Sequence, residues 1–212
     1  MEHNERRCGA AVLLALLLAA TGGAARAAVG DLTEIPIEQL LQLEVESASR
    51  YRQPLADAPA AVSVVTAEEI RDFGYRTLGE VIASMRGLYV SSDRYFSYVG
   101  VRGFARAGDY NSRVLLLVDG IRQNDSVYNQ AMVGTESPLD VDLIERVEFV
   151  PGAGSSVYGA NAFFGVINVV TKRGDSYRGG EAALAAGSYG TGKLRLTYGD
   201  AGDDGSGWLV SG

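Results

Sequence analysis

The sequence predicts an α+β domain in which short strands and short helices mix irregularly, followed by strictly alternating strands of a different texture. Three observations carry this. Two helix-opening Thr-x-x-Glu patterns sit among strand-like runs between residues 61 and 173, without the regular spacing of a βαβ array. Val114-Leu115-Leu116-Leu117-Val118 is apolar throughout, as a central strand covered on both faces requires. Beyond Gly179, Lys193-Leu194-Arg195-Leu196-Thr197-Tyr198 changes polarity at every residue.

Composition narrows the function classes. The 212 residues are 47% apolar and 21% charged, which is globular rather than disordered. A net charge of -7 argues against a general nucleic-acid binder. The single Cys and single His are Cys8 and His3, both at the extreme N-terminus. The rest of the chain therefore offers no Ser-His-Asp triad, cysteine nucleophile, disulfide framework or His/Cys zinc site. No enzyme is expected, and no catalytic residue, metal site or cofactor.

Residues 1–27 read as a secretory signal. Arg6 and Arg7 precede an apolar run, 10–20, too short to span a bilayer, and Ala25-Arg26-Ala27 supplies small residues at a cleavage site. Cys8 precedes the apolar run, so it is not placed to be a lipid-modified cysteine. Cleavage after Ala27 leaves an acidic, cysteine-free, exported chain. Residues 28–57 then begin amphipathic and turn polar, with Pro54 and Pro59 punctuating the exit. They read either as a tether with a short helix or as an ordinary N-terminal cap on the domain.

The compact segment, 58–174, follows. Ala61-Val62-Ser63-Val64-Val65 alternates like a strand. Thr66-Ala67-Glu68-Glu69 is a capping box opening a helix that stops at Gly74, and Thr77-Leu78-Gly79-Glu80 repeats the device. Leu78, Val81, Ile82 and Met85 then form one apolar helical face ending at Gly87. Short strands are expected at 88–91 and 98–102. The apolar strand at 114–118 meets Asp119-Gly120, a two-residue hairpin signal, and Ile121-Arg122 returns. Further strands are expected over 143–150 and 165–171.

From residue 175 the pattern is that of hairpins. Leu194 and Leu196 point one way, and Lys193, Arg195 and Thr197 the other. Such strands suit either a transmembrane β-barrel or a solvent-exposed surface hairpin.

Candidate chemistry is sparse. Pro151-Gly152-Ala153-Gly154-Ser155-Ser156-Val157-Tyr158-Gly159 resembles a phosphate cradle, but Val157 stands where the dinucleotide fingerprint needs glycine and no Gly-Lys-Ser/Thr follows. A tight structural turn is expected there instead. Arg102, Glu145, Arg146 and Glu148 lie in or beside apolar strands, where burial costs several kcal/mol unless they are paired. They mark either solvated strand faces or a surface that meets opposite charge. No two carboxylates stand out as an acid/base pair. Three loops, 92–96, 105–111 and 123–135, carry Arg94, Tyr95, Phe96, Asn111, Tyr128 and Asn129, good contacts for a small ligand and also ordinary loop residues.

Taken in order, these motifs resemble the plug domain of TonB-dependent outer-membrane receptors. The resemblance runs from the strand before Ala67-Glu68-Glu69-Ile70 through Thr77-Leu78-Gly79-Glu80-Val81-Ile82, Gly87-Leu88-Tyr89-Val90 and Val101-Arg102-Gly103-Phe104. It continues through Asp119-Gly120, Leu143-Ile144-Glu145-Arg146-Val147-Glu148, Gly154-Ser155 with Val157-Tyr158-Gly159, and Gly165-Val166-Ile167-Asn168. Pro151 departs from it, since many members have arginine before that glycine turn.

The resemblance implies a mixed-sheet plug within a 22-stranded barrel, importing a scarce ligand such as an iron-siderophore, cobalamin or a sugar. It implies structural turns at Gly103, Asp119, Gly120, Gly154, Tyr158, Gly159 and Gly165, and plug–barrel charge contacts through Arg102, Glu145, Arg146 and Glu148. Its partners would be the outer membrane, a small ligand such as a metal chelate, and the TonB energy-coupling protein; nucleic acid is not among them. The partner would add the TonB box as a strand to its own sheet edge, and Glu44-Val45-Glu46-Ser47-Ala48-Ser49 is the candidate box. Residues 175–212 hold at most three strands, so an N-terminal fragment of a longer receptor or a shortened reading frame is expected. A free-standing periplasmic plug-like module is the alternative.

Overall fold

A computed structural model describes residues 44–45, 53–54, 61–106, 108–174, 179–202 and 206–212. The expected signal segment, and the residues Glu46, Ser47, Ala48 and Ser49 of the candidate box, lie outside the described residues. Of the tether, Glu44–Val45 (β1) pairs antiparallel with Gln53–Pro54 (β2).

The plug-like segment opens with Ser63–Thr66 (β3), which runs directly into helix Ala67–Asp72 (α1). The capping box forms as the sequence requires. The Thr66 hydroxyl accepts the Glu69 N–H, and the Glu69 carboxylate accepts the Thr66 N–H at 2.8 Å, satisfying two orphan donors. Helix Leu78–Ser84 (α2) repeats only half of it: Thr77 accepts the Glu80 N–H, but Glu80 reaches the N–H of Arg76. That helix also ends earlier than its apolar spacing suggests. Met85 is buried, yet its backbone is extended (ψ 143), so it joins the core from the turn that follows.

Two strands, Leu88–Ser92 (β4) and Ser97–Val101 (β5), form a hairpin of their own. The main sheet adds Val114–Val118 (β6), Ile121–Arg122 (β7), Ile144–Pro151 (β8) and Gly165–Thr171 (β9), in the order β3-β8-β9-β6-β7. It is mixed, because β6 and β9 run parallel while the other neighbours are antiparallel. The apolar β6 is not the central strand; β9 is, and β6 is bounded by the two-residue β7. Its uniform apolarity follows from covered faces. Val114 and Leu116 enter the large core with α1, α2 and β5, whereas Leu115 and Leu117 pack with Ala162 and Val166 on the reverse face.

A one-turn helix, Ser155–Tyr158 (α3), links β8 to β9. After the plug-like segment, Gly179–Ala186 (β10), Gly192–Ala201 (β11) and Gly207–Ser211 (β12) make a separate three-stranded antiparallel sheet. Among the described residues no helix is long and apolar enough to cross a membrane, which says nothing of strands.

Candidate functional site

The three loops that the sequence offered for ligand contact are brought together at one place. Asn111 does the joining: its side-chain carbonyl accepts the Val99 N–H at 2.7 Å, and its amide donates to the carbonyls of Ser97 and Ala131 at 2.8 Å each. Phe96 packs edge-on to Tyr110, with ring centroids 5.2 Å apart. Glu136 adds a second tie, accepting the N–H groups of Ser97 and Gly134. Asn111 and Phe96 are therefore turned inward, buried as supports rather than exposed for contact. The physical reason for Asn111 is that backbone groups take both of its amide N–H donors and one lone pair of its carbonyl.

What remains at the surface is Tyr95 (90% exposed), Tyr128 (69% exposed), Arg94 and Asn129. Arg94 and Asn129 both adopt positive φ, 80° and 56°, at the tips of turns. Each turn is stapled by an aspartate. Asp93 accepts the N–H groups of Phe96 and Tyr95 and the Tyr98 hydroxyl, which together hold its carboxyl below the ordinary value. Asp125 does the same for Tyr128, Val127 and Gln130, again lowering its carboxyl.

The charges expected to meet a surrounding wall divide into two groups. Arg146 and Glu148, two residues apart on β8, share a face, and a register shift between Ile144 and Arg146 sets Glu145 at a bulge beside them. The Arg146 guanidinium then bridges Glu148 at 2.9 Å and Glu145 at 3.0 Å, so these three pair with one another. Arg102 is different. It is exposed at φ 52° with Gly103 following at φ 86°, and its side chain has no ion-pair partner among the described residues.

The remaining turn positions are seen directly. Asp119 and Gly120 both have positive φ, 50° and 76°, and Val118 pairs with Ile121 across them. Asp119 also accepts the Thr171 N–H and hydroxyl, tying the hairpin to β9. Gly154 caps α3, half-buried Tyr158 packs under Leu115 and Leu117, and Gly159 closes the turn at φ 79°. Gly165 is needed for space: a Cβ there would stand 2.6 Å from Phe149 Cε2.

The second sheet is inverted relative to a soluble hairpin. Leu184, Leu194, Leu196, Tyr198 and Val210 are exposed on one face, with Trp208 and Tyr198 in ring contact at its end. Arg195 and Thr197 are buried on the other. Arg195 donates to Thr197 at 2.6 Å and pairs with Glu181, and Thr197 shares a hydrogen bond with Ser211. Polar-in, apolar-out strands with terminal aromatics are the pattern of a lipid-facing wall.

That polar face meets the first domain at the 3₁₀ turn Val141–Leu143. The Lys193 ammonium reaches Asp140 at 2.8 Å and Asp142 at 3.0 Å, and Arg195 Nε lies 3.8 and 3.6 Å from the same two carboxylates. Burial pushes the Asp140 carboxyl up, but the Lys193 ammonium, the Asp142 N–H and the Arg195 charge outweigh it, leaving the carboxyl below its ordinary value. None of these four residues was singled out from the sequence as a contact between the two parts. The available signal was Asp140-Val141-Asp142 ahead of a strand, facing a basic alternating strand whose register only folding reveals.

The family model for the TonB-dependent receptor plug domain matches residues 54–166, more than half of the chain. The chain belongs to this family. The plug has relatives of known description: the vitamin B12 transporter BtuB of Vibrio vulnificus is 35% identical over 147 residues, 68% of this chain and 23% of the relative. An iron-regulated outer membrane virulence protein of Vibrio cholerae is 28% identical over 66% of this chain and 22% of its own length. The chain thus spans about a quarter of the length of the curated relatives it matches. The ferripyoverdine receptor of the outer membrane of Pseudomonas aeruginosa superposes with a TM-score of 0.61 over 80% of this chain and 22% of the receptor, at 22% identity. The plug is therefore an outer-membrane domain of mixed sheet and short helices, and β10–β12 resemble the start of the family's barrel.

Proposed function

We propose that this chain is the plug and opening wall of a receptor that takes up a scarce small ligand, a cobalamin or an iron chelate, across the outer membrane. The observation that carries the reading is the inverted sheet β10–β12, apolar outward and paired through Lys193 to the plug at Asp140 and Asp142. A plug joined in this way to a lipid-facing wall is a closed pore, and a closed pore that presents tethered tyrosine-bearing loops suits capture of a bulky ligand. The names of the relatives, a vitamin B12 transporter and an iron-regulated protein, supply the ligand classes.

Tyr95, Tyr128, Arg94 and Asn129 would meet that ligand, with Phe96 and Asn111 beneath them. Arg102, exposed on a strained turn, would pair with an acidic residue of the wall. The TonB protein would engage the candidate box, residues 44–49, by main-chain hydrogen bonds that ask little of sequence. Strand β1 already gives Glu44-Val45 an extended backbone.

Deletion of the gene, followed by growth on limiting cobalamin or limiting chelated iron, tests the proposal. Loss of growth on one of these, restored by the gene, is expected. Unimpaired growth on both would overturn the ligand assignment. Site-directed crosslinking from Val45 tests the coupling partner, and adducts with the TonB protein are expected there.

A further inference from the structure

Lys193 is an unusual wall residue. It lies on the face of β11 that turns toward the plug, and its polar contacts among the described residues are the carboxylates of Asp140 and Asp142, on the plug. Arg195, two positions on, has Glu181 and Thr197 within the wall as well. The plug side also has contacts of its own. Asp140 caps its own turn by accepting the Asp142 N–H at 3.1 Å, and Lys172 donates to the Asp142 carbonyl at 2.8 Å. The Asp140 carboxylate therefore meets β11 already tied to its own turn, and the Asp142 backbone is held beside it.

A polar cleft of about 300 Å³ runs beside this contact, lined among others by Arg71, Asp142, Lys172, Glu181 and Arg195. Two of those residues, Asp142 and Arg195, face each other across the seam itself. Any parting of plug from wall at this point would widen a water-accessible gap already lined with charge.

We propose that the Asp140–Asp142 turn is an ionic seal: its carboxylates clamp Lys193 and Arg195 and hold the seam between plug and wall closed to solutes. The inference rests on the assignment of β10–β12 as wall. It adds that these four side chains, rather than plug bulk alone, keep the seam shut. Charge neutralisation is the physical basis. With the acids gone, two cations on one strand face each other's field in a partly desolvated seam, and water and anions enter to solvate them.

The test uses the receptor as its gene encodes it, in outer membranes, with influx of a large hydrophilic antibiotic as the readout. Asp140→Asn with Asp142→Asn is expected to raise influx about tenfold, the change that a modest shift in an open–closed equilibrium produces. Asp142→Lys alone and Lys193→Asp alone should both leak, and the two together should reseal. Heat-modifiable mobility on gels reports the folded fraction, and influx is normalised to it.

Unchanged influx in the folded double asparagine variant would overturn the seal, as would a charge-swapped pair that leaks like its single variants. Ligand-dependent growth, measured in parallel, reports separately on the uptake reading: a leaking variant that still supports growth leaves uptake standing, and growth unimpaired by deletion of the whole gene counts against uptake alone.

Discussion

Arg146 holds Glu148 from two positions away on the same strand, Nε to Oε1 at 2.9 Å, and solvent does not reach the glutamate. Alternate residues of a strand share a face, so the pair spans a single pleat rather than a loop. Glu145, displaced by the bulge, takes the other side of the same guanidinium.

Removing the arginine should cost more than the pair is worth. Arg146→Ala leaves a buried carboxylate short of a cation, and a loss of about 3 kcal/mol is expected. Arg146→Ala combined with Glu148→Gln should recover part of it, because the buried charge has gone. Urea unfolding midpoints of the purified receptor check both.

Gly165→Ala should destabilise the sheet by about 2 kcal/mol, the scale of overpacking a filled core. The new methyl would meet the Phe149 ring at 2.6 Å and the Val150 carbonyl at 2.8 Å. The carbonyl belongs to a paired strand and cannot step aside. Phe149→Leu in the same background should relieve the ring contact but not the carbonyl contact, giving partial rescue in thermal melts.

Asn111→Leu keeps the branching at Cγ, adds bulk at a left-handed position (φ 60°) and removes the three hydrogen bonds to backbone partners. Leaving Val99 N–H and the Ser97 and Ala131 carbonyls unsatisfied should cost about 3 kcal/mol. The readout specific to this residue is amide exchange. Protection should fall around Ser97–Val101 and at Ala131, the loop bases, ahead of the central strands.

The turn aspartates set an acid limit on loop order. Asp93 and Asp125 have folded-state values below the ordinary 3.8, so the folded form binds fewer protons than the unfolded one. Their contribution is complete above 3.8 and is lost as pH falls through the lower folded values. Asp93→Asn should lower the melting temperature at neutral pH, and its curve should converge on that of the unaltered protein at the acid end. Melting temperature against pH for both proteins measures the convergence.

Much of this was legible in the order of residues. The capping box at Thr66, the Asp119-Gly120 hairpin and the alternation at 193–198 are local codes, satisfied by partners within four residues or across one turn. The charge-bearing positions Arg102, Glu145, Arg146 and Glu148 were legible as expensive, because an ion in an apolar run needs a partner whatever the fold. Which partners meet was only partly legible: Arg146 and Glu148 share a strand face two residues apart, whereas Glu145 reaches the same guanidinium from a bulge that no local pattern announces.

Alternation, capping and glycine spacing thus determined by themselves that the chain makes an α+β domain followed by strictly alternating strands, because those features depend on neighbours in sequence; that the domain is a plug came from the resemblance of the ordered motifs. Tertiary structure alone decided that Asp140 and Asp142 meet Lys193, some fifty positions on, and that Asn111 and Phe96 turn inward beneath Tyr95 and Tyr128. Register between distant strands and the path of loops arise from packing against the rest of the molecule, and no local pattern encodes the far side of a contact.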